Sequence, residues 1–77
     1  KVVIAKDVNL IAFDEITEPV RVEAKIRYSA KPSPATVYKI DNNKIKIVFD
    51  EPQRAITKGQ SVVMYNGDVV VGGGIIC

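Results

Sequence analysis

The clearest pattern along the chain is a strict alternation of apolar and polar residues over positions 20–28. The even-numbered positions hold Val, Val, Ala, Ile and Tyr, and the positions between them hold Arg21, Glu23, Lys25 and Arg27. A period of two is typical of a β-strand with one face in the core and the other face exposed. The pattern therefore predicts a strand that presents mainly basic side chains to water or to a polyanion.

The longest apolar run lies near the end of the sequence, where two strand-forming segments flank a turn. Residues 61–65 and 69–71 are rich in valine, and Asn66-Gly67 follows the first of them. Asn-Gly readily adopts the two positive φ angles of a type I′ turn, so we expect a closing β-hairpin. Neither segment alternates cleanly. We therefore expect both faces of this hairpin to be covered, one by the core and one by another surface.

The first eight residues also predict a strand, with Val2, Ile4 and Val8 on one face and Asn9 at its end. The apolar residues of the next segment, residues 10–16, are three positions apart. This spacing is consistent with a single helical turn or with an irregular loop packed on the domain.

Residues 37–40 and 45–49 predict a second antiparallel hairpin, because the turn-forming sequence Asp-Asn-Asn-Lys joins them. The alternation places Ile45, Ile47 and Phe49 inside and leaves the intervening residues outside. Residues 31–34, Lys-Pro-Ser-Pro, are predicted to form a loop, because two prolines remove hydrogen-bond donors from any ladder. Asp-Glu-Pro at 50–52 ends the preceding strand, and Gly59 is expected to adopt a positive φ before the last hairpin.

Six short strands separated by turn signals predict an all-β domain, either a small sandwich or, as we favour, a small closed six-stranded antiparallel β-barrel. Closure is favoured because an open sheet of this size would leave two apolar edges unpaired. The chain is short enough, at 77 residues, for residues 1–77 to form one domain. The triple glycine at 72–74 lacks the spacing of a phosphate-binding loop and is better explained by a bulge or a close crossing of chain segments.

Composition narrows the possible chemistry. The chain has one Cys and no His, which excludes an internal disulfide and a Cys/His metal site and fits a reducing compartment. Cys77 is expected to be a free thiol, because no His or second Cys is present to activate it. Asp14, Glu15 and Glu18 are expected to be a solvated surface. We assign no catalytic and no metal-binding residue to the chain.

Charge is distributed unevenly, although its net value is only +2. Seven basic and two acidic residues fall between positions 21 and 46. Contact with RNA phosphates is one explanation, and the use of exposed lysines against edge pairing is an equally good one. Tyr28 and Tyr38 would add base stacking if exposed, although the alternation places Tyr28 inside. The candidate tRNA-binding residues are Arg21, Lys25, Arg27, Lys31, Lys44 and Lys46.

Two long segments of the sequence resemble a known family. They are DEPQRAITKGQSVV at 50–63 and YNGDVVVGGGII at 65–76, and both are similar to the C-terminal β-barrel domain of tRNA-specific 2-thiouridylases. The resemblance continues in KDVN at 6–9, TEPVR at 17–21, AKIRY at 24–28 and PAT at 34–36, so it covers nearly the whole chain. Two positions depart from the family pattern: Leu10 stands where an aromatic residue is common, and Ser29 stands where a basic residue is common.

The resemblance implies a barrel similar to the second domain of translation elongation factors. It also implies an accessory role in a longer cytoplasmic enzyme that uses ATP to activate C2 of the wobble uridine of tRNA and replaces the oxygen with sulfur. The catalytic cysteines and the ATP site of such an enzyme belong to other domains. The implied partners are tRNA, the catalytic and central domains of the same chain, and a sulfur-carrier protein.

Since the chain starts without Met and has neither a signal-peptide pattern nor an apolar run long enough to span a membrane, we expect a fragment of a longer soluble protein with no membrane partner. The alternative is a stand-alone barrel that binds RNA or a translation factor without catalysis. The sequence upstream of position 1 would discriminate between the two.

Overall fold

The computed structural model describes residues 2–11, 16–26, 31–41, 43–53 and 56–77, and the regular structure in these ranges is all β-strand. The six strands are β1 (Val2–Leu10), β2 (Val20–Lys25), β3 (Ser33–Lys39), β4 (Lys44–Phe49), β5 (Ser61–Asn66) and β6 (Val69–Ile76). They pair antiparallel in the order β1-β4-β3-β2-β5-β6, and β6 pairs with β1 to close a barrel. The closed six-stranded barrel that the sequence predicts is confirmed.

The barrel interior is filled by apolar side chains from all six strands, and no polar side chain is buried within the described ranges. Fully burying a side chain of this kind stabilises the fold by about 1.5–3 kcal/mol, so alternation decides which face of each strand points inward. On β4, Ile45, Ile47 and Phe49 are buried as predicted. The largest fully buried side chains are Phe49, Ile47, Met64, Val37, Val62 and Val71.

The inward face of β1 differs from the predicted one. Val3 and Ala5 are buried, whereas Val2 is 57% exposed and Ile4 is only half-buried. The pairing of β1 with β6 shifts register between Lys6 and Asn9, and Asp7 within this shift has a φ of 51°. The irregularity changes the parity of the strand, so that Val8 packs against the core and does not share a face with Val2. The strand also continues past Asn9.

The prediction of a loop at 31–34 was wrong at its second half, because β3 begins at Ser33 and includes Pro34. The two backbone polar groups of a residue in an antiparallel strand face the same neighbour. The carbonyl oxygen of Pro34 accepts a hydrogen bond of 3.0 Å from the backbone N–H of Asp50, one residue beyond the end of β4. The nitrogen of Pro34 therefore faces a position where β4 has ended, and no ladder hydrogen bond is lost.

The hairpin of β5 and β6 is confirmed, but its turn lies one residue further along than predicted. Asn66 pairs with Val69, so the two central residues are Gly67 and Asp68. Gly67 has a φ of 63°, and Asn66 does not have a positive φ. A positive φ at the first central residue alone is the pattern of a type II′ turn, in which glycine occupies that position. The predicted positive φ of Gly59 is also confirmed, at 88°.

The triple glycine forms part of β6 where this strand runs between β1 and β5. A Cβ atom on Gly72 would collide with the backbone oxygen of Asn9, and one on Gly73 would lie 2.8 Å from the backbone oxygen of Val62. The close crossing of chain segments is thus confirmed, and the register of β5 with β6 shifts at Val71, just before the glycines. Glycine is therefore required because the neighbouring backbones leave no room for a side chain.

Some predictions fall outside the described residues. Residues 12–15, which include Asp14 and Glu15, are among them, so the predicted helical turn lies largely outside the described residues. Ile16, at the end of that segment, is described and is buried. Arg27 and Tyr28 also lie outside the described ranges. Within those ranges, no helix is long and apolar enough to cross a membrane.

Gly72→Ala should destabilise the barrel by about 1–3 kcal/mol, because the methyl group has to displace the backbone of β1. Urea denaturation of the purified chain measures this loss. Ser61→Thr serves as the control, because Ser61 is exposed on β5 and a β-branched residue suits a strand. Equal midpoints for Gly72→Ala and the parent would show that the close approach of β6 to β1 is absent.

Candidate nucleic-acid interface

The five described members of the predicted basic set occupy three separate places on the barrel. Arg21 and Lys25 lie on β2, and Lys44 and Lys46 lie on β4. Lys31 lies two residues before the start of β3. Since β3 separates β2 from β4, the set does not form one continuous row. The sixth member, Arg27, lies outside the described residues.

The guanidinium of Arg21 is engaged by neighbours on the barrel surface. Its Nη1 and Nη2 atoms each donate a hydrogen bond of 2.8 Å to the Asp50 carboxylate, and Nη1 also donates to Oγ1 of Thr36 at 2.9 Å. The hydrogen bond and the charge of Asp50 raise the pKa of Arg21 above its ordinary value. Any stability from this shift is present at all pH values below the ordinary pKa, so it does not change near neutral pH. The bidentate pair ties β2 to the end of β4 across β3.

An acidic residue lies between the two basic residues of β2. Glu23 is exposed and faces outward between Arg21 and Lys25, as the alternation predicts. With Asp50 paired to Arg21, this part of the surface carries two carboxylates beside its two cations. We call Arg21, Glu23 and Lys25 the β2 row. Its surroundings are closer to neutral than a count of its basic residues suggests.

A different basic group lies on another part of the same closed sheet, where β1, β4 and β3 are neighbours. Lys44 is directly opposite Lys6 in the pairing of β4 with β1, and Lys46 is directly opposite Tyr38 in the pairing of β4 with β3. The Nζ atom of Lys46 lies 4.9 Å from the centre of the Tyr38 ring. We call these four residues the β4 lysine surface. Lys6 was missed in the sequence analysis, because only the register between β1 and β4 brings it beside Lys44.

Asn43, in the turn between β3 and β4, forms hydrogen bonds with Asp41 and Asp7, the carboxylates nearest to this surface along the sequence. Oδ1 of Asp41 accepts a hydrogen bond of 2.8 Å from the backbone N–H of Asn43. The side-chain amide of Asn43 donates to Oδ1 of Asp7 at 3.3 Å. Among the described residues, no carboxylate forms an ion pair with a lysine of the β4 lysine surface.

A shallow groove of about 260 Å³ lies beside the β5–β6 hairpin. Glu23 and Pro34 line one part of it, and Tyr65 with the hairpin turn lines another. The adjacent strand β6 exposes two apolar side chains, because Val69 is 56% and Val70 is 37% exposed. We call Tyr65, Val69 and Val70 the hairpin surface. The inner face of the hairpin is covered by the core as predicted, and the outer face is open in this chain.

Cys77 and Glu18 are the described residues that were considered for catalysis. Cys77 is an exposed free thiol at the end of the chain, and its backbone N–H donates a hydrogen bond of 3.0 Å to the backbone oxygen of Ile4. Glu18 is exposed. In the part of the chain that the structure describes, no group of three or more His, Cys, Asp or Glu residues could hold a metal ion.

The architecture defines a small closed all-β barrel domain. Residues 1–76 match the model of the aminomethyltransferase beta-barrel domain family. The chain belongs to this family, and the resemblance of its sequence to the C-terminal domains of tRNA-specific 2-thiouridylases is confirmed.

Curated relatives share most of the chain. It is 72% identical over 76 residues to "tRNA-specific 2-thiouridylase MnmA" of Clostridioides difficile strain 630, covering 99% of this chain and 21% of that protein. It is 63% identical over 73 residues to "tRNA-specific 2-thiouridylase MnmA 2" of Clostridium botulinum strain Langeland, covering 95% of this chain and 21% of the relative. The chain thus spans about a fifth of the length of these relatives.

Reversing the charge of either partner in the Arg21–Asp50 pair should lower the thermal midpoint of unfolding slightly, since both side chains are largely exposed and screened by water. Arg21→Asp and Asp50→Arg each place two like charges together. The double variant Arg21→Asp/Asp50→Arg should recover much of the loss, because it restores an ion pair with opposite polarity. Strictly additive losses in the double variant would contradict the pairing.

Proposed function

We propose that this chain is the C-terminal accessory domain of an ATP-dependent tRNA 2-thiouridylase, in which it helps to bind tRNA and packs against the remaining domains. The observation that carries this proposal is the 72% identity to a tRNA-specific 2-thiouridylase along nearly the whole chain. The parent enzyme would replace the C2 oxygen of the wobble uridine by sulfur, with ATP activating the uridine and a sulfur-carrier protein supplying the sulfur. It would work in the cytoplasm.

An accessory role agrees with the chemistry of the residues themselves. The sequence has no His and only one Cys. That Cys is exposed, and neither a His nor a second Cys is present to activate it. The described interior is filled by apolar side chains and leaves no polar group pointing into it. We therefore assign uridine activation and sulfur transfer to the other four fifths of the parent enzyme.

The hairpin surface is the face that we propose to contact the other domains of the parent chain. An exposed apolar side chain beside an aromatic one, such as Val70 opposite its register partner Tyr65, is typical of a surface that another part of the protein covers. The relatives supply such a partner, because about four fifths of their length lies outside the region matched by this chain. Interfaces between domains of one chain are commonly of this mixed apolar and polar kind.

The accessory role can be tested with the full-length enzyme and the isolated domain. Thiolation is measured by mass spectrometry of tRNA nucleosides after incubation with ATP and a sulfur donor. The full-length enzyme should form 2-thiouridine, and the isolated domain should form none, because it lacks the residues that activate uridine.

Two results would contradict this assignment. Thiolation by the isolated domain would place the chemistry in the barrel itself. A natural full-length chain that binds RNA or a translation factor but does not thiolate tRNA would leave a binding module without catalysis as the better description.

Val70→Asp should separate docking from folding. Because Val70 is 37% exposed, the variant should leave the stability of the isolated barrel nearly unchanged. In the full-length enzyme it should weaken domain packing, since it places a charge in an apolar interface. Val71→Asp, at a fully buried position, is the control that should unfold the barrel in both contexts. Limited proteolysis of both proteins measures the outcome, and equal protection of parent and Val70→Asp full-length enzymes would exclude this docking face.

A further inference from the structure

We propose that the β4 lysine surface is the phosphate-binding face of this domain for tRNA, with Tyr38 positioning Lys46. The inference rests on the proposed function and deepens it. The proposed contact with RNA lies on β4 and not on the β2 row. It also includes Lys6, which lies on β1.

The first argument is the pairing of Lys6 with Lys44. The two residues are register partners on neighbouring antiparallel strands, and their positions share the outward face. Like charges directly opposite each other across a strand pair are unfavourable. A phosphate bound between the two lysines removes this repulsion and adds an attraction to each. The geometry is thus better suited to the complex with an anion than to the free protein.

The second argument is that Lys46 is held in place before any ligand binds. Its ammonium lies 4.9 Å from the centre of the Tyr38 ring, within the range of a cation–π interaction. The ring thereby restricts a side chain that would otherwise lose several rotamers on binding. Lys44 and Lys46 are two residues apart on one strand face, so their backbones are about 7 Å apart. This spacing suits successive phosphates of an extended ribose-phosphate chain.

The third argument is the position of this surface relative to the rest of the barrel. In the closed order β1-β4-β3-β2-β5-β6, β4 lies three strands from β5 in either direction. Lys44 and Lys46 therefore lie on the opposite side from Tyr65, and Lys6 pairs with Ile75, at the far end of β6 from Val69 and Val70. The barrel can dock through one side while the other remains accessible to RNA.

The β2 row is the competing site, and its geometry favours it less. The guanidinium of Arg21 already makes a bidentate pair with Asp50, so a phosphate has to compete with a carboxylate for the same donors. Glu23 adds a repulsive charge between Arg21 and Lys25.

Salt titration of tRNA binding to the full-length enzyme tests the inference. Lys44→Glu/Lys46→Glu should weaken binding at low salt and reduce the slope of log K against log salt by about 1–2 units, because two phosphate contacts are lost. Lys25→Glu/Lys31→Glu changes the charge by the same amount at a different place and should bind nearly as the parent does. Equal losses in the two double variants would overturn the site, because they would indicate an effect of net charge alone.

Tyr38 variants test its positioning role. Tyr38→Phe keeps the aromatic face and should retain parental tRNA affinity, whereas Tyr38→Leu removes it and should weaken binding by less than Lys46→Glu does. Unfolding midpoints of the isolated variants identify any general loss of stability. Parental binding by both Lys44→Glu/Lys46→Glu and Tyr38→Leu would overturn the inference while leaving thiolation by the parent enzyme, and so the proposed function, intact.

Discussion

The close approach of three backbones around the triple glycine of β6 is the constraint on which the barrel depends. At Gly72 and Gly73 the neighbouring strands β1 and β5 lie so near that a Cβ atom would meet backbone oxygens of Asn9 and Val62. This approach lets β6 pair on both sides and close the sheet. In a chain of 77 residues, closure buries the apolar interior and removes two edges that would otherwise be open to aggregation.

Closure also explains how one small domain can present two distinct surfaces. Every strand uses one face for the core, so each outward face is available for other contacts. The ring order places β4 opposite β5, and Lys6 on β1 lies at the far end of β6 from Val69 and Val70, so the β4 lysine surface is separate from the hairpin surface. The combination agrees with the proposed docking through the hairpin surface and the proposed phosphate contacts of the β4 lysine surface.

The basic residues show why charge has to be considered together with strand register. Arg21 and Lys46 are similar in the sequence, since both are outward-facing residues of alternating strands. In the barrel, Arg21 is paired with Asp50. Lys46 instead lies over the ring of Tyr38, and the paired residues Lys6 and Lys44 are nearby on β1 and β4. A cation that is already paired with a carboxylate offers less to a phosphate than one that forms no ion pair.

The local patterns of the sequence determined the strands, the two hairpins, the buried face of β4 and the closed barrel, because burial of alternating apolar residues outweighs weaker local preferences. The family resemblance added the likeness to tRNA 2-thiouridylases. Only the tertiary structure decided the inward face of β1, where a residue with positive φ changes the parity, and the entry of Pro34 into β3, where β4 has already ended. It alone placed Lys6 beside Lys44 and Asp50 on Arg21, because register between strands distant in sequence has no local signature.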